Sequence, residues 1–177
     1  MDGEHAYVFR DRDQLDSGIY RQALLHLEEF FHSPDHRLQG IRNLARQIKN
    51  ALENISPLIQ ETTRAVCPHC TDVCCISKHG FYNYEDLVYL FALGLRPPFI
   101  DLSRNDHDPC QFLTENGCSM ERVIRPSGCN WYFCNPLLEV IEKRPDYRDF
   151  DASLMELAEL WMKMSDEFSQ FSPLRPS

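Results

Sequence analysis

The sequence predicts a mostly α-helical protein: a helical bundle with a loop-rich module of eight cysteines, which can include one short β-hairpin. Apolar residues recur at helical spacing in both flanks, only 7 of the 177 residues are glycine, and every cysteine lies in the middle of the chain. A hydrophobic share of 43% fits one globular domain over 1–177. We divide it into an N-terminal helical segment (1–66), a cysteine-cluster metal-binding module (67–135) and a C-terminal helical segment (136–177).

The N-terminal segment predicts two amphipathic helices separated by Ser33-Pro34-Asp35. The apolar stripe of the first is Leu15, Ile19, Ala23, Leu27 and Phe30. That of the second is Ile41, Leu44, Ile48, Leu52, Ile55 and Leu58. We expect this second seam to pack inside its own domain, with a homodimer as the alternative. Ser56-Pro57 predicts a kink or a restart of the second helix.

The cysteine module predicts short elements. Asn83 to Asp86 opens a helix that Gly94 ends, and 99–102 is too brief for more than an edge strand. The segment 111–120 resembles a hairpin with an Asn-Gly turn, which would bring Cys110 and Cys118 close together.

The C-terminal segment predicts one short and one long helix. Pro136 can start the first, and the linker turn 144–146 ends it. The capping box of Ser153 and Glu156 predicts the start of the last helix. Its apolar face is Leu154, Leu157, Trp161, Met164 and Phe168, which we interpret as core.

Charge and hydropathy exclude several classes of partner. Lys and Arg number 18 against 27 Asp and Glu, a formal net charge of −9, so we expect no nucleic-acid partner. No apolar run reaches the roughly 20 residues of a membrane helix, and the acidic start is unlike a secretory signal. The sequence therefore predicts a cytoplasmic protein with no membrane partner.

The cysteines predict a metal site, since crowded thiols in a reducing compartment indicate metal binding before disulfides. The eight candidate ligands are Cys67, Cys70, Cys74, Cys75, Cys110, Cys118, Cys129 and Cys134. Cys67 and Cys70 form a C-x-x-C knuckle, whose soft sulfur ligands suit zinc or an iron–sulfur cluster. The neighbours Cys74 and Cys75 point to opposite faces of an extended chain, so they would serve different partners. Two centres, or one four-cysteine cluster with the other cysteines as buried thiols, both remain open.

Several neighbours of the cysteines have two readings. The basic residues are donors toward sulfur or surface charges; they are Arg64, Lys78, Arg104, Arg122 and Arg125. His69, His79 and His107 could each replace a cysteine, although exposed loop histidines are the default. We expect Trp131, Tyr132 and Phe133 to form an apolar wall over the site.

The closing cysteines carry a resemblance to a known family. Cys110-x-Phe112-Leu113, Gly117-Cys118-Ser119-Met120, and Arg125-Pro126-Ser127-Gly128-Cys129 with Cys134 resemble the YkgJ-type cysteine-cluster family, whose members are described as zinc- or iron-chelating. The resemblance runs from Cys67 to Cys134. The family pattern is C-x-x-C-x-x-C-C; this chain has one residue more between Cys70 and Cys74, and Asn130 where a basic residue is common.

The resemblance implies chelation of zinc or of an iron–sulfur cluster through these cysteines, with a structural, redox or metal-sensing role. No catalytic residue is predicted, and the enzyme question stays open, leaning towards no enzyme. The alternatives are a thiol-based redox enzyme, with one activated cysteine, and an accessory protein of a metal-dependent methyltransferase, because a similar cluster occurs in flagellin lysine methylases. The expected partners are metal ions, with a protein partner or a homodimer through the helical seams as a further expectation.

Overall fold

The computed structural model describes residues 17–70, 75, 80–104, 108–115 and 117–171. Most of these residues are helical, which confirms the predicted mostly α class. The helices are α1 (Ser17–His32), α2 (Leu38–Val66), α3 (Tyr84–Ala92), α4 (Gly128–Trp131), α5 (Asn135–Ile141) and α6 (Tyr147–Ser169). The 3-10 turns Cys67–His69 and Arg122–Ile124 and the strands β1 (Leu113–Thr114) and β2 (Gly117–Cys118) lie between them.

The predicted stripes of α1 and α2 are confirmed in part. The buried positions of α1 are Tyr20, Ala23, Leu27 and Phe31. The predicted Ile19 and Phe30 are half-buried, and Leu15 lies outside the described residues. Those of α2 include Ile41, Ala45, Ile48, Leu52, Ile55 and Ile59. The seam of α2 is therefore covered by the protein's own chain. Of the two alternatives at Ser56-Pro57, the restart is wrong, because the helix runs through Pro57, and the kink stays a prediction. Proline removes only one backbone donor, and the stripe on either side of it stays buried.

Helix α3 has the predicted ends. The Asn83 side chain accepts from the Asp86 backbone N–H at 2.7 Å, and the Asp86 carboxylate accepts from the Asn83 N–H at 3.0 Å. At the other end, Gly94 has φ +74, and the Leu95 N–H donates to the Leu90 carbonyl at 2.9 Å. Such a Schellman motif satisfies the last carbonyls of a helix and favours glycine at the left-handed position.

Helix α6 begins at Tyr147, six residues before the capping box that the sequence predicts at Ser153 and Glu156. The Ser153 hydroxyl donates to the Asp149 carbonyl at 2.8 Å, one helical turn earlier, so this serine lies inside the helix and does not cap it. The predicted start is therefore wrong. The predicted apolar face is confirmed in outline, because Leu157, Met164 and Phe168 are buried.

The hairpin is confirmed, with a shift at its turn. Strands β1 and β2 are antiparallel, with Leu113 opposite Cys118 and Thr114 opposite Gly117. The loop between the paired residues is thus 115–116, and Gly117, with φ +97, follows it. At 99–102, which the sequence limits to an edge strand at most, no strand forms: 99–101 are irregular, and a turn follows at 102.

The described residues form two compact units. The first comprises 17–47, 81–103 and 160–171; the second comprises 48–70, 75, 80, 104, 108–115 and 117–159. Helix α3 packs on α1 in the first unit. The Phe168 ring lies 5.3 Å from that of Phe30, edge-on, and 6.0 Å from that of Tyr84, measured between ring centroids. The predicted association of the N- and C-terminal helices is therefore present in this unit.

The second unit contains every described cysteine. The Arg144 guanidinium there lies 3.2 Å from the Glu61 carboxylate and 2.8 Å from that of Asp146, which ties α2 to the turn before α6. The Phe133 ring meets the Phe150 ring edge-on at 5.9 Å. The division at residues 67 and 135 stays a prediction.

Among the helices in the described part of the chain, none has the length and apolar character that crossing a membrane requires.

Candidate metal centre

Seven of the eight predicted ligands lie in the described residues, and Cys74 lies outside them. None of the seven forms a disulfide there, and all are half-buried except Cys129, which is exposed. The described cysteines are Cys67, Cys70, Cys75, Cys110, Cys118, Cys129 and Cys134. Thiols of intermediate exposure can reach a solvent ion more easily than fully buried ones.

The C-x-x-C knuckle is one tight turn. Pro68 lies in the 3-10 turn Cys67–His69, and the Cys70 N–H donates to the Cys67 carbonyl at 3.2 Å. The turn begins directly where α2 ends, at Val66. The knuckle therefore has the compact backbone that a pair of zinc or iron–sulfur ligands uses.

Gly80 marks the place where two other cysteines meet. A Cβ added to this glycine would lie 3.3 Å from Cys129 Sγ and 3.9 Å from Cys110 Sγ. Both sulfurs thus lie within 4 Å of one point. Pro126 Cγ, at 3.6 Å from that point, closes another side of the gap. The sequence separates Cys110 from Cys129 by a hairpin, and the fold places both sulfurs beside Gly80.

Backbone hydrogen bonds hold this group in place. The Cys110 N–H donates to the Cys75 carbonyl at 2.7 Å, so the main chain of Cys75 lies directly beside that of Cys110. The Leu113 N–H then donates to the Cys110 carbonyl at 2.9 Å, where β1 begins. Cys118 lies opposite Leu113 on β2. Leu113 thus links the two cysteines, because it bonds to the Cys110 carbonyl and pairs with Cys118. The expected closeness of the Cys110 and Cys118 thiols stays a prediction.

The segment that carries Cys129 is anchored by Arg125. Its Nε and Nη2 atoms donate to the Met120 carbonyl at 2.9 and 2.8 Å, which ties the end of the hairpin to the residues before α4. The Cys129 N–H donates to the Pro126 carbonyl at 2.9 Å. Arg125 thus has a backbone acceptor, and its hydrogen bonds stabilise the conformation of the loop that contains the Arg-Pro-Ser stretch.

Arg122 is the charged residue of this site. It is only 6% exposed, and its Nη1 donates to Asn130 Oδ1 at 3.0 Å and, over a longer 3.5 Å, to the Cys129 carbonyl. Burial lowers the pKa of Arg122 to about 10, and the charge of Arg125 acts in the same direction. Cys129 and Cys118 raise it, which places both thiols within electrostatic reach of the guanidinium. The side chain still carries its charge at neutral pH.

Two donor atoms at Arg122 and Asn130 have no acceptor among the residues that the structure describes. Arg122 Nε and Asn130 Nδ2 are both buried, and neither has a hydrogen-bond partner within the described residues. Both atoms can only donate, so any group that satisfies them must be an acceptor. An unpaired buried donor costs about 1–3 kcal/mol, which makes this pair a marked feature of the site.

The described side chains do not converge into a complete ligand set. Among them, no group of three or more His, Cys, Asp or Glu side chains lies close enough together to hold a metal ion. Cys74, His79 and His107 lie outside the described residues. His69 lies in the turn of the knuckle and is exposed, which agrees with the default expectation of an exposed loop histidine.

The other predicted neighbours have separate surroundings. Arg104 Nη2 donates to the Pro109 carbonyl at 3.0 Å, Arg64 is exposed, and Lys78 lies outside the described residues. Tyr132 is exposed, and Phe133 packs on Phe150, while the apolar wall over the cysteines stays a prediction. Cys134 caps α5, where its carbonyl accepts from Leu137 and Leu138, both at 3.0 Å.

Gly80 and Asn130 are the site residues that the sequence reasoning missed. The unusual asparagine after Cys129 was visible in the sequence as a departure from the family pattern. Gly80 had no comparable signal, since its importance depends on the approach of two distant sulfurs.

Chemically, the arrangement offers soft thiol sulfurs beside a buried guanidinium in a loop-rich part of the second unit.

Set against known protein families, curated proteins and solved structures, the chain matches none of them.

Proposed function

We propose that the protein binds metal through its clustered cysteine thiolates, either as zinc or as an iron–sulfur cluster. The observation that carries this proposal is the meeting of Cys110 and Cys129 sulfurs at Gly80, beside the buried charge of Arg122. Two soft ligands from separate segments and a neighbouring cation suit a negatively charged metal–thiolate group. The resemblance of 67–134 to the YkgJ-type family supports the same chemistry.

All eight cysteines belong to this proposal, including the Cys67–Cys70 knuckle and Cys74. Since the described thiols are not yet gathered around one point, binding would draw further sulfurs towards the pair at Gly80. Metal sites commonly form in this way, because the ligand set is completed only when the ion is bound. The role that follows is structural for a closed zinc site, and redox or sensing for a cluster.

The deciding experiment is metal analysis of anaerobically purified protein together with its absorption spectrum and X-ray absorption at the metal edge. If zinc is bound, we expect a colourless protein with Zn–S distances of about 2.3 Å. A cluster predicts a brown protein with iron and acid-labile sulfide, which bleaches in air. Reduced protein that holds neither zinc nor iron after reconstitution would refute the proposal.

A second candidate, a thiol-based redox enzyme, has one specific observation in its favour. Cys129 is the only exposed cysteine among the described ones, and Arg122 lies beside it. Exposed thiols near a cation are the reactive ones in proteins. Timed alkylation with mass spectrometry distinguishes the candidates: an enzyme predicts that Cys129 reacts far faster than the others without metal, whereas a metal site predicts joint protection of several cysteines by metal.

A cytoplasmic location and a protein partner complete the proposal. Thiols that serve as metal ligands need a reducing compartment, and the charge of −9 disfavours nucleic acid. Fractionation of tagged protein and cross-linking in cells test both points.

A further inference from the structure

Arg122 is a buried cation without a carboxylate partner in the described part of the chain. No acid among the described residues forms a salt bridge with Arg122, whereas Arg144 pairs with Glu61 and Asp146. A buried charge of this kind is costly unless an opposite charge and hydrogen-bond acceptors accompany it. Its surroundings therefore point to an anionic group other than a carboxylate of the described residues.

The geometry limits where this group lies. Asn130 Oδ1 and the Cys129 carbonyl both engage Nη1, so Asn130 fixes the orientation of the guanidinium. Nε is left as an unpartnered donor within the described residues, as is Asn130 Nδ2. The main chain of Cys129 lies beside the guanidinium, and its Sγ lies beside Gly80, as does Cys110 Sγ.

We propose that Arg122 is a positioning residue for a metal–thiolate centre that includes Cys129, and that its guanidinium donates hydrogen bonds to thiolate sulfur when metal is bound. This inference rests on the proposed function and extends it by assigning a buried cation to the centre at Cys129. Four thiolates around Zn²⁺, or around a [4Fe–4S]²⁺ cluster, carry a double negative charge. A rigid guanidinium oriented by Asn130 offsets part of that charge and holds the sulfurs in place.

The proposal predicts opposite effects of Arg122 in the two states of the protein. Without metal, the guanidinium is a buried charge that lacks an anionic partner, so it costs stability. With metal, the same charge stabilises the bound thiolates. A merely structural arginine would instead stabilise both states alike, as we expect for Arg125 through its bonds to the Met120 carbonyl.

The experiment compares Arg122→Met, Arg122→Lys and the control Arg125→Met in the full chain. Metal release to a chelator is timed after reconstitution with Zn²⁺ or with iron and sulfide, and urea unfolding is measured for the reduced, metal-free protein. We expect Arg122→Met to release metal about 10- to 100-fold faster than the wild type, the usual range for losing such an outer partner. Its metal-free form should be as stable as the wild type or more stable. Arg122→Lys, which keeps the charge and loses the planar fork, should lie between them.

A second variant covers the case in which Arg122→Met does not fold. Asn130→Asp places a carboxylate against the guanidinium at the position that now accepts from Nη1. We expect this variant to stabilise the metal-free protein and to release metal faster, since the new carboxylate competes with the thiolates for the same cation. Unchanged release in this variant would contradict the proposal.

The outcomes separate the two levels of inference. A wild type that binds metal, with equal release rates in Arg122→Met and the wild type, overturns the role of Arg122 and leaves the metal function standing. Equal destabilisation of the metal-free and metal-bound forms overturns it as well. A wild type that binds neither zinc nor iron overturns the proposed function and this inference together.

Discussion

Gly80 and Cys129 approach each other so closely that the glycine position has no room for a relaxed side chain. A Cβ there would lie 3.3 Å from Cys129 Sγ, which is tighter than most contacts of real Cβ atoms. Positive φ is not the reason for this glycine, because the described glycines with positive φ are Gly94 and Gly117. The requirement at Gly80 is therefore space beside Cys129 Sγ.

Gly80→Ala should weaken metal binding and leave the helices intact. The added methyl pushes Cys129 Sγ by a few tenths of an ångström, whereas Cys110 Sγ lies at an ordinary contact distance. Metal content after dialysis against a weak chelator measures the loss. Gly128→Ala is the matched control, since no atom of the described residues lies within 4 Å of its Cβ position. Equal metal retention in both variants would contradict this account.

Replacement of individual cysteines by serine tests how the ligands are shared. We expect Cys67→Ser, Cys70→Ser, Cys110→Ser and Cys129→Ser each to lower the metal content, because each removes a soft ligand. Two separate centres predict that the Cys67→Ser and Cys110→Ser losses add in the double variant. One shared centre predicts that the double variant loses little more than either single variant. Unchanged content in both Cys67→Ser and Cys70→Ser would remove the knuckle from the ligands.

Asn83→Ala should destabilise the protein by about 1 kcal/mol, the typical cost of losing an N-cap. The variant removes the acceptor for the Asp86 N–H at the start of α3. Urea unfolding measures the change in the free energy of unfolding. Ser153→Ala is the control, because this serine bonds inside α6 and its loss should change stability by no more than a few tenths of a kcal/mol. A larger cost for Ser153→Ala would restore it as a cap.

Alkaline pH should unfold the protein through Tyr20 and Tyr84. Burial raises the pKa of both phenols above the ordinary 10.0, assisted by the charge of Asp86 at Tyr20 and of Glu85 at Tyr84. Folding therefore favours the protonated phenols. The stability they contribute is complete below about pH 10, the unfolded pKa, and is lost as pH rises above it.

Phenolate absorbance during an alkaline titration measures this effect alongside helical circular dichroism. The two phenols should ionise together with loss of helix. Tyr20→Phe should flatten the fall in unfolding free energy with pH, whereas Tyr132→Phe, at an exposed position, should leave it unchanged. Ionisation of Tyr20 and Tyr84 in the folded protein would contradict the prediction.

The helices could be predicted from the sequence wherever a local pattern determines the structure. The stripes of α1 and α2, the capping box at Asn83 and the Gly94 end of α3 are all set by neighbours along the chain. The errors arose where two local signals competed. At Ser153 a cap signal fell inside a helix that already begins at Tyr147, and at Pro57 the buried stripe of α2 outweighed a helix breaker.

The candidate site could be predicted only as a set of ligands. The cysteines are evident from residue type and spacing. Arg122 was one of five basic candidates, and nothing in the sequence distinguished it from the other four. Its burial, its bond to Asn130 and the gap at Gly80 depend on contacts between segments that are apart in the chain. A single sequence does not contain that information, since periodicity reports only neighbours within an element.

The register of the small hairpin decides which of its two faces carries the Cys118 side chain. Side chains alternate between the two faces of a strand, and Cys118 lies opposite Leu113. Sliding β2 by one residue would turn the cysteine to the reverse face, whereas sliding it by two would restore the face and shift its height by about 7 Å. The pairing of Leu113 with Cys118 therefore decides which face of the hairpin carries this thiol.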